Sequence, residues 1–162
     1  MSQSAEFSLD RRMTLMLAGG MAFAAMPAAA AEPNPALEGE LKATLGELTR
    51  RIHARDFTAL DLFDGDDALL IGSATGEVCL GREQIHAHLA HYYDMASRVG
   101  FTWSRTLTGA LGDTTAWLWA EGEVALTGSD NKQTTGPYRL ASVFVRRGSD
   151  WRIRLFSGSQ PA

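Results

Sequence analysis

Four strand-length segments separated by tight turns fill the chain after residue 100, and they restrict its fold more than any other feature. Residues 101–111, 114–127, 133–147 and 151–157 are rich in β-branched and aromatic residues. The breaks are Gly112-Asp113, Gly128 to Lys132 and Gly148-Ser149-Asp150. Connections this short join antiparallel neighbours, so a meander is predicted. Ahead of it the periodicity is helical. Asn34-Pro35 supplies an N-cap and a proline at the first helical position. Leu37, Leu41, Leu45, Leu48 and Ile52 then recur at helical spacing, which predicts a helix ending near Arg55. Residues 56–63 read as a second short helix and Asp64 to Asp67 as a turn. Residues 68–72 and 77–80 form a hairpin, and a helix over 82–98, with Ile85, Leu89, Tyr92 and Ala96 inward, ends at Gly100. Helices first and a meander after them give an α+β domain with the helices on one sheet face.

Side-chain alternation then assigns the faces. A symmetric Gly128–Lys132 loop sets Glu121 opposite Arg139, Trp119 opposite Ala141 and Trp117 opposite Val143. The turn at Ser149 sets Val145 against Ile153, Val143 against Leu155 and Ala141 against Ser157. These residues share one face, read as the inner one. It is apolar at one end (Trp117, Val143, Val145, Trp151, Ile153, Leu155) and polar at the other (Glu121, Arg139, Ser157, Ser159). The other face carries Leu118, Ala120, Leu140, Phe144 and Phe156, but also Arg146, Arg152 and Arg154. Three arginines are unexpected beneath helices, so this face is read as outer, and its apolar residues suit a homodimer.

A length of 162 residues fits one compact domain. The net charge is −4 and there is no basic run, which argues against a nucleic-acid partner. Cys79 is the only cysteine, so no intrachain disulfide is possible; it reads as a buried structural residue. The first residues read as an address. Arg11-Arg12 precedes an uncharged stretch from Met13 to Ala31 that closes on small residues of the A-x-A kind. The expectation is a signal peptide over residues 1–31, cleaved near Ala31–Glu32, and a mature domain over 32–162 located in the periplasm or outside the cell. The arginine pair is of the twin-arginine kind, although Thr14 stands where an aromatic is usual, so the general secretory route stays open. No membrane span is expected after cleavage.

The order and spacing of several segments then resemble the nuclear transport factor 2-like superfamily, and within it the SnoaL-like and ketosteroid-isomerase-like bacterial domains. The segments are Gly81-Arg82-Glu83 at a helix start, Leu111-Gly112-Asp113-Thr114-Thr115-Ala116-Trp117, Tyr138-Arg139-Leu140 through Val145-Arg146-Arg147, and Trp151-Arg152-Ile153-Arg154 through Ser159-Gln160-Pro161. The resemblance covers about Leu37 to Pro161. It implies a cone-shaped fold, a curved antiparallel sheet wrapped around N-terminal helices, with a pocket between them. Relatives of this kind include isomerases, dehydratases, cyclases and domains without known activity. They often carry a histidine where this chain has Ser157.

Within that frame, His88 and Tyr92 lie one helical turn apart, and His88 is a candidate general base or acid near neutral pH. Glu121 with Arg139 reads either as a cross-strand ion pair or as a site in which the carboxylate moves protons and the guanidinium holds a carbonyl or anion. Trp103 and Trp119 are candidate pocket walls or core residues, and Ser157 joins the ligand-binding candidates. His86, His88 and His91 do not share one helical face, so no metal site is expected, and no cofactor is expected either. Three functions remain open: an exported domain binding a small hydrophobic or carbonyl-containing ligand, a cofactor-independent lyase or isomerase using His88 and Glu121, and a structural or partner-binding homodimeric module.

Overall fold

The computed structural model describes residues 34–161; the predicted signal segment lies outside them. Helix α1 spans Pro35–His53, and the Asn34 side chain accepts the Leu37 N–H at 3.0 Å as its cap. A 3-10 helix, Phe57–Leu62, and a shorter one, Gly65–Asp67, lead into strands β1 (Leu69–Ile71) and β2 (Val78–Leu80). Helix α2 runs Gly81–Met95. It stops short of the expected 98, because β3 (Arg98–Ala110) has already begun and Gly100 lies inside that strand. Strands β4 (Thr115–Thr127), β5 (Gln133–Arg147) and β6 (Asp150–Ser159) complete the meander. The sheet order is β2-β1-β6-β5-β4-β3, mixed only at the parallel β1–β6 pair. Among the described residues no helix is long and apolar enough to cross a membrane.

The expected β4–β5 register is observed: Glu121 faces Arg139, Trp119 faces Ala141 and Trp117 faces Val143. The face assignment is reversed. Ala116, Leu118, Ala120 and Val124 of β4, and Tyr138, Leu140, Ser142 and Phe144 of β5, are the buried set. They pack with Leu41, Leu45 and Leu48 of α1 and Ile85 and Leu89 of α2 in one core. Trp117, Trp119, Glu121 and Arg139 look outward.

Two local features account for the reversal. The first is a β-bulge. Val143 pairs with Leu155 as expected, but Phe144 then pairs with Ile153, leaving Arg154 without an opposite residue. Trp151 and Ile153 therefore share the inner face with Phe156, not with Leu155. Ser142, buried at the bulge, donates its hydroxyl to the Leu155 carbonyl at 2.7 Å. The second is that every arginine of the trio has an acceptor. Arg146 pairs with Glu40 of α1, and its guanidinium lies 4.5 Å over the Trp151 ring; that ring's N–H donates to the same Glu40 at 2.7 Å. Arg152 donates to the Asp61 carbonyl. Arg154 and Arg147 converge on Asp64, whose side chain is only 8% exposed and accepts from both at 2.7–2.9 Å. Both guanidinium groups hold the Asp64 carboxyl below the usual carboxylate range. Asp64 also donates its backbone N–H to the Ile153 carbonyl, so this cluster fastens the 3-10 segment to β6.

Candidate ligand-binding site

The inner face closes a cavity against the helices. Leu48 and Ile52 of α1, Leu89 of α2, Val99 and Phe101 of β3, Val124 of β4 and Phe156 of β6 supply an apolar wall. The space open to the centre of a water-sized sphere is about 70 Å³. At 10–15 Å³ per water, that is room for about five to seven waters or one small ring. The exposed lining residues are Ser73 and Gln160, which places the mouth between the β1–β2 loop and the end of β6.

A few polar groups interrupt this wall. His88 and Tyr92, half-buried on α2, have ring centroids 4.8 Å apart. The Tyr92 hydroxyl donates to Glu77 Oε1 at 3.3 Å, while the other oxygen of Glu77 accepts the Ala74 N–H at 2.8 Å. Gly72 makes this possible, because a Cβ there would collide with the Glu77 carboxylate. Burial pushes the His88 imidazole below its usual range, which favours its neutral, proton-accepting form. Burial and the Glu77 carboxylate push the Tyr92 phenol up, so it stays a donor. Tyr138 of β5 also lines the cavity at 7% exposure, its ring 5.2 Å from Phe101.

The sequence candidates are thus divided. His88 and Tyr92 meet at the cavity. Trp103 lies beside it, stacked on Phe101 at 5.6 Å and packed against the core. Trp119, Glu121 and Arg139 stand on the opposite face. Glu121 reaches Arg105 of β3 at 3.9 Å, and Arg105 also lies over the Trp119 ring at 5.9 Å. Ser157 follows the cavity residue Phe156, so alternation turns it outward. One acid–base pair made of His88 and Glu121 is therefore excluded: the sheet separates them. Sequence reasoning missed Ser73, Glu77, Tyr138 and Gln160. The inverted face hid Tyr138, and the strand glycine Gly158 was the available signal for it.

An α+β cone with helices inside a curved sheet, and a cavity between them, defines the nuclear transport factor 2-like fold. The chain matches the SnoaL-like domain over residues 41–162 and belongs to that family. Solved structures agree on the fold. A candidate dehydratase of the NTF2-like family from Streptomyces avermitilis aligns with TM-score 0.70 at 15% identity, covering 80% of this chain and 99% of that one. A candidate scytalone dehydratase from Novosphingobium aromaticivorans gives 0.72 at 10% identity, covering 80% and 87%. An NTF2-like superfamily protein from Salmonella enterica gives 0.69 at 15% identity, covering 79% and 93%. At such identities the likeness is one of fold. No curated protein matches the chain.

Proposed function

We propose that this SnoaL-like domain works outside the cytoplasm and holds a small, largely apolar molecule in the cavity beneath β3–β6. The observation that carries this reading is the cavity's composition: a continuous apolar wall with polar groups, His88 and Tyr92, gathered near one mouth. Such a site orients a ligand by few hydrogen bonds and retains it by burial. Native mass spectrometry of the chain recovered from the periplasm tests it. The expected result is a small uncharged molecule released from the wild type and lost from Val124→Trp, which fills the cavity. Identical spectra for the two proteins would contradict the reading. For the export part, residues 1–35 fused to a reporter active only outside the cytoplasm give signal, and replacing Arg11 and Arg12 by lysine abolishes it if the twin-arginine route is used.

A second reading, a homodimer through the outer sheet face, is favoured by a separate observation. The outer face is the opposite of the expected one, and it is also apolar, and continuously so. Val78 and Leu80 of β2 lie beside Ile71 and Leu69 of β1. Leu69 lies beside Leu155, which pairs with Val143, and Val143 with Trp117. The band ends at Trp119 and Leu107. Val78 is 60% exposed and Leu107 45%. A band reaching across all six strands exceeds the scattered apolar residues normal on a monomer's surface.

A further inference from the structure

Three features bear on what the cavity accepts. The first is the Tyr138 hydroxyl. Tyr138 is buried, and its hydroxyl sits over Gly158, in the space a Cβ of residue 158 would fill. Gly158 lies on β6 between Phe156 and Gln160, both cavity residues, so the hydroxyl forms part of the cavity wall. The second is that this hydroxyl makes no hydrogen bond to another described residue and is not among the polar atoms sealed from solvent, so it stays open to a partner in the cavity. Burial foremost, and then the nearby Tyr92 and Glu77, push its ionisation far up, so it stays a donor. A donor that faces the cavity with no acceptor from the protein is available to a ligand acceptor. The third is charge. Among the described residues no lysine or arginine lines the cavity, Glu77 stands behind Tyr92, and burial pushes the His88 imidazole below its usual range. A carboxylate entering here would lose its hydration without gaining a counter-charge.

We infer that Tyr138 is the specificity-determining donor of the cavity, and that the ligand is uncharged and presents a carbonyl-type acceptor to it, carboxylates being excluded. This inference rests on the proposal that the cavity takes a ligand. It also gives Gly158 a purpose: the missing side chain lets the phenol reach its place, at a position whose backbone any residue could adopt.

The test uses cyclopentanone and its hydrocarbon isostere methylenecyclopentane, together with cyclopentanecarboxylate and, as its uncharged control of equal size, cyclopentanecarboxamide. Kd values come from NMR titration of the mature chain and of Tyr138→Phe, which removes only the hydroxyl. The ratio of ketone to hydrocarbon affinity is expected to fall about fivefold in Tyr138→Phe, the worth of one neutral hydrogen bond. The hydrocarbon's own Kd stays within about twofold; the carboxamide binds, and the carboxylate binds neither protein. Gly158→Ala, which displaces the phenol, lowers the ratio in the same direction. A ratio unmoved by Tyr138→Phe, or carboxylate binding as tight as carboxamide binding, overturns the inference while leaving the cavity as a ligand site. Failure of both ketone and hydrocarbon to bind overturns the inference and the ligand-site reading together.

Discussion

Leu118 and Trp119 are neighbours in β4, and they belong to different parts of the molecule. Leu118 is 1% exposed and lies in the core beneath the helices. Trp119 looks outward, with Arg105 over its ring. Both faces of the central strands are apolar, but they do different things with that character. On β4 the inner face uses small and aliphatic residues (Ala116, Leu118, Ala120, Val124) that let helices approach and leave a cavity, while β5 adds Tyr138 and Phe144 to it. The outer face uses large aromatic residues at its centre and charged ones, Arg105, Glu121 and Arg139, at one margin. The comparison teaches that hydrophobicity alone does not tell the inside of a sheet from the outside. The pairing of charges does.

Substitutions on the two faces should therefore differ most in stability. Leu118→Ala is expected to lower stability by about 2–5 kcal/mol, the transfer and cavity terms together. Trp119→Ala, which loses partial burial and a cation–π contact, is expected to lower it by about 1 kcal/mol. Urea denaturation of both variants checks this, and equal losses would erase the distinction between the faces. Next in size is the Asp64 cluster, which ties the 3-10 segment to β6. Removing its charge with Asp64→Asn leaves Arg147 and Arg154 without their shared acceptor and is expected to lower stability by about 1–3 kcal/mol at pH 7. The sign with pH follows from its lowered carboxyl. That stabilisation is complete above the unfolded carboxyl's value of about 3.9 and disappears as pH falls through the lower folded value. Thermal unfolding between pH 7 and 2 should thus converge for wild type and Asp64→Asn at the acid end.

Two smaller effects sharpen the contrast further. Leu155→Arg, in the middle of the outer band, is expected to shift a dimer to monomer in sedimentation analysis while changing monomer stability by less than about 1 kcal/mol. A monomeric wild type would remove the dimer reading. Tyr138→Phe is expected to be neutral or to raise stability by up to about 0.5 kcal/mol, since the lost hydroxyl makes no hydrogen bond to another described residue. A clear loss of stability would mean that the hydroxyl serves the fold rather than a ligand.

Much of the fold is legible in the sequence. The glycine-marked turns locate β3 to β6, the leucine spacing locates α1, and the loop at Gly128–Lys132 sets the β4–β5 register residue for residue. His88 and Tyr92 are legible too, because an i, i+4 pair on one helix must share a side. What the pattern conceals is the bulge at Arg154, since one extra residue leaves no mark in composition and yet changes which side chains of β6 share a face. The arginines mislead for a related reason. Charge on a strand suggests solvent, but Arg146 is matched by Glu40 and Arg154 by Asp64, partners 106 and 90 residues away in the chain. The pattern pairs Glu121 with Arg139 but does not fix their side of the sheet, and the inverted side draws the expected site away from Tyr138.

The central claim is that the inner cavity, not the outer face, receives the small molecule. Amide chemical-shift mapping with methylenecyclopentane tests it most directly. Perturbations confined to Leu89, Val99, Val124 and Tyr138, and absent in Val124→Trp, are the predicted result. Saturable perturbations at Trp117, Trp119 and Leu155, with the cavity residues unmoved, would contradict it.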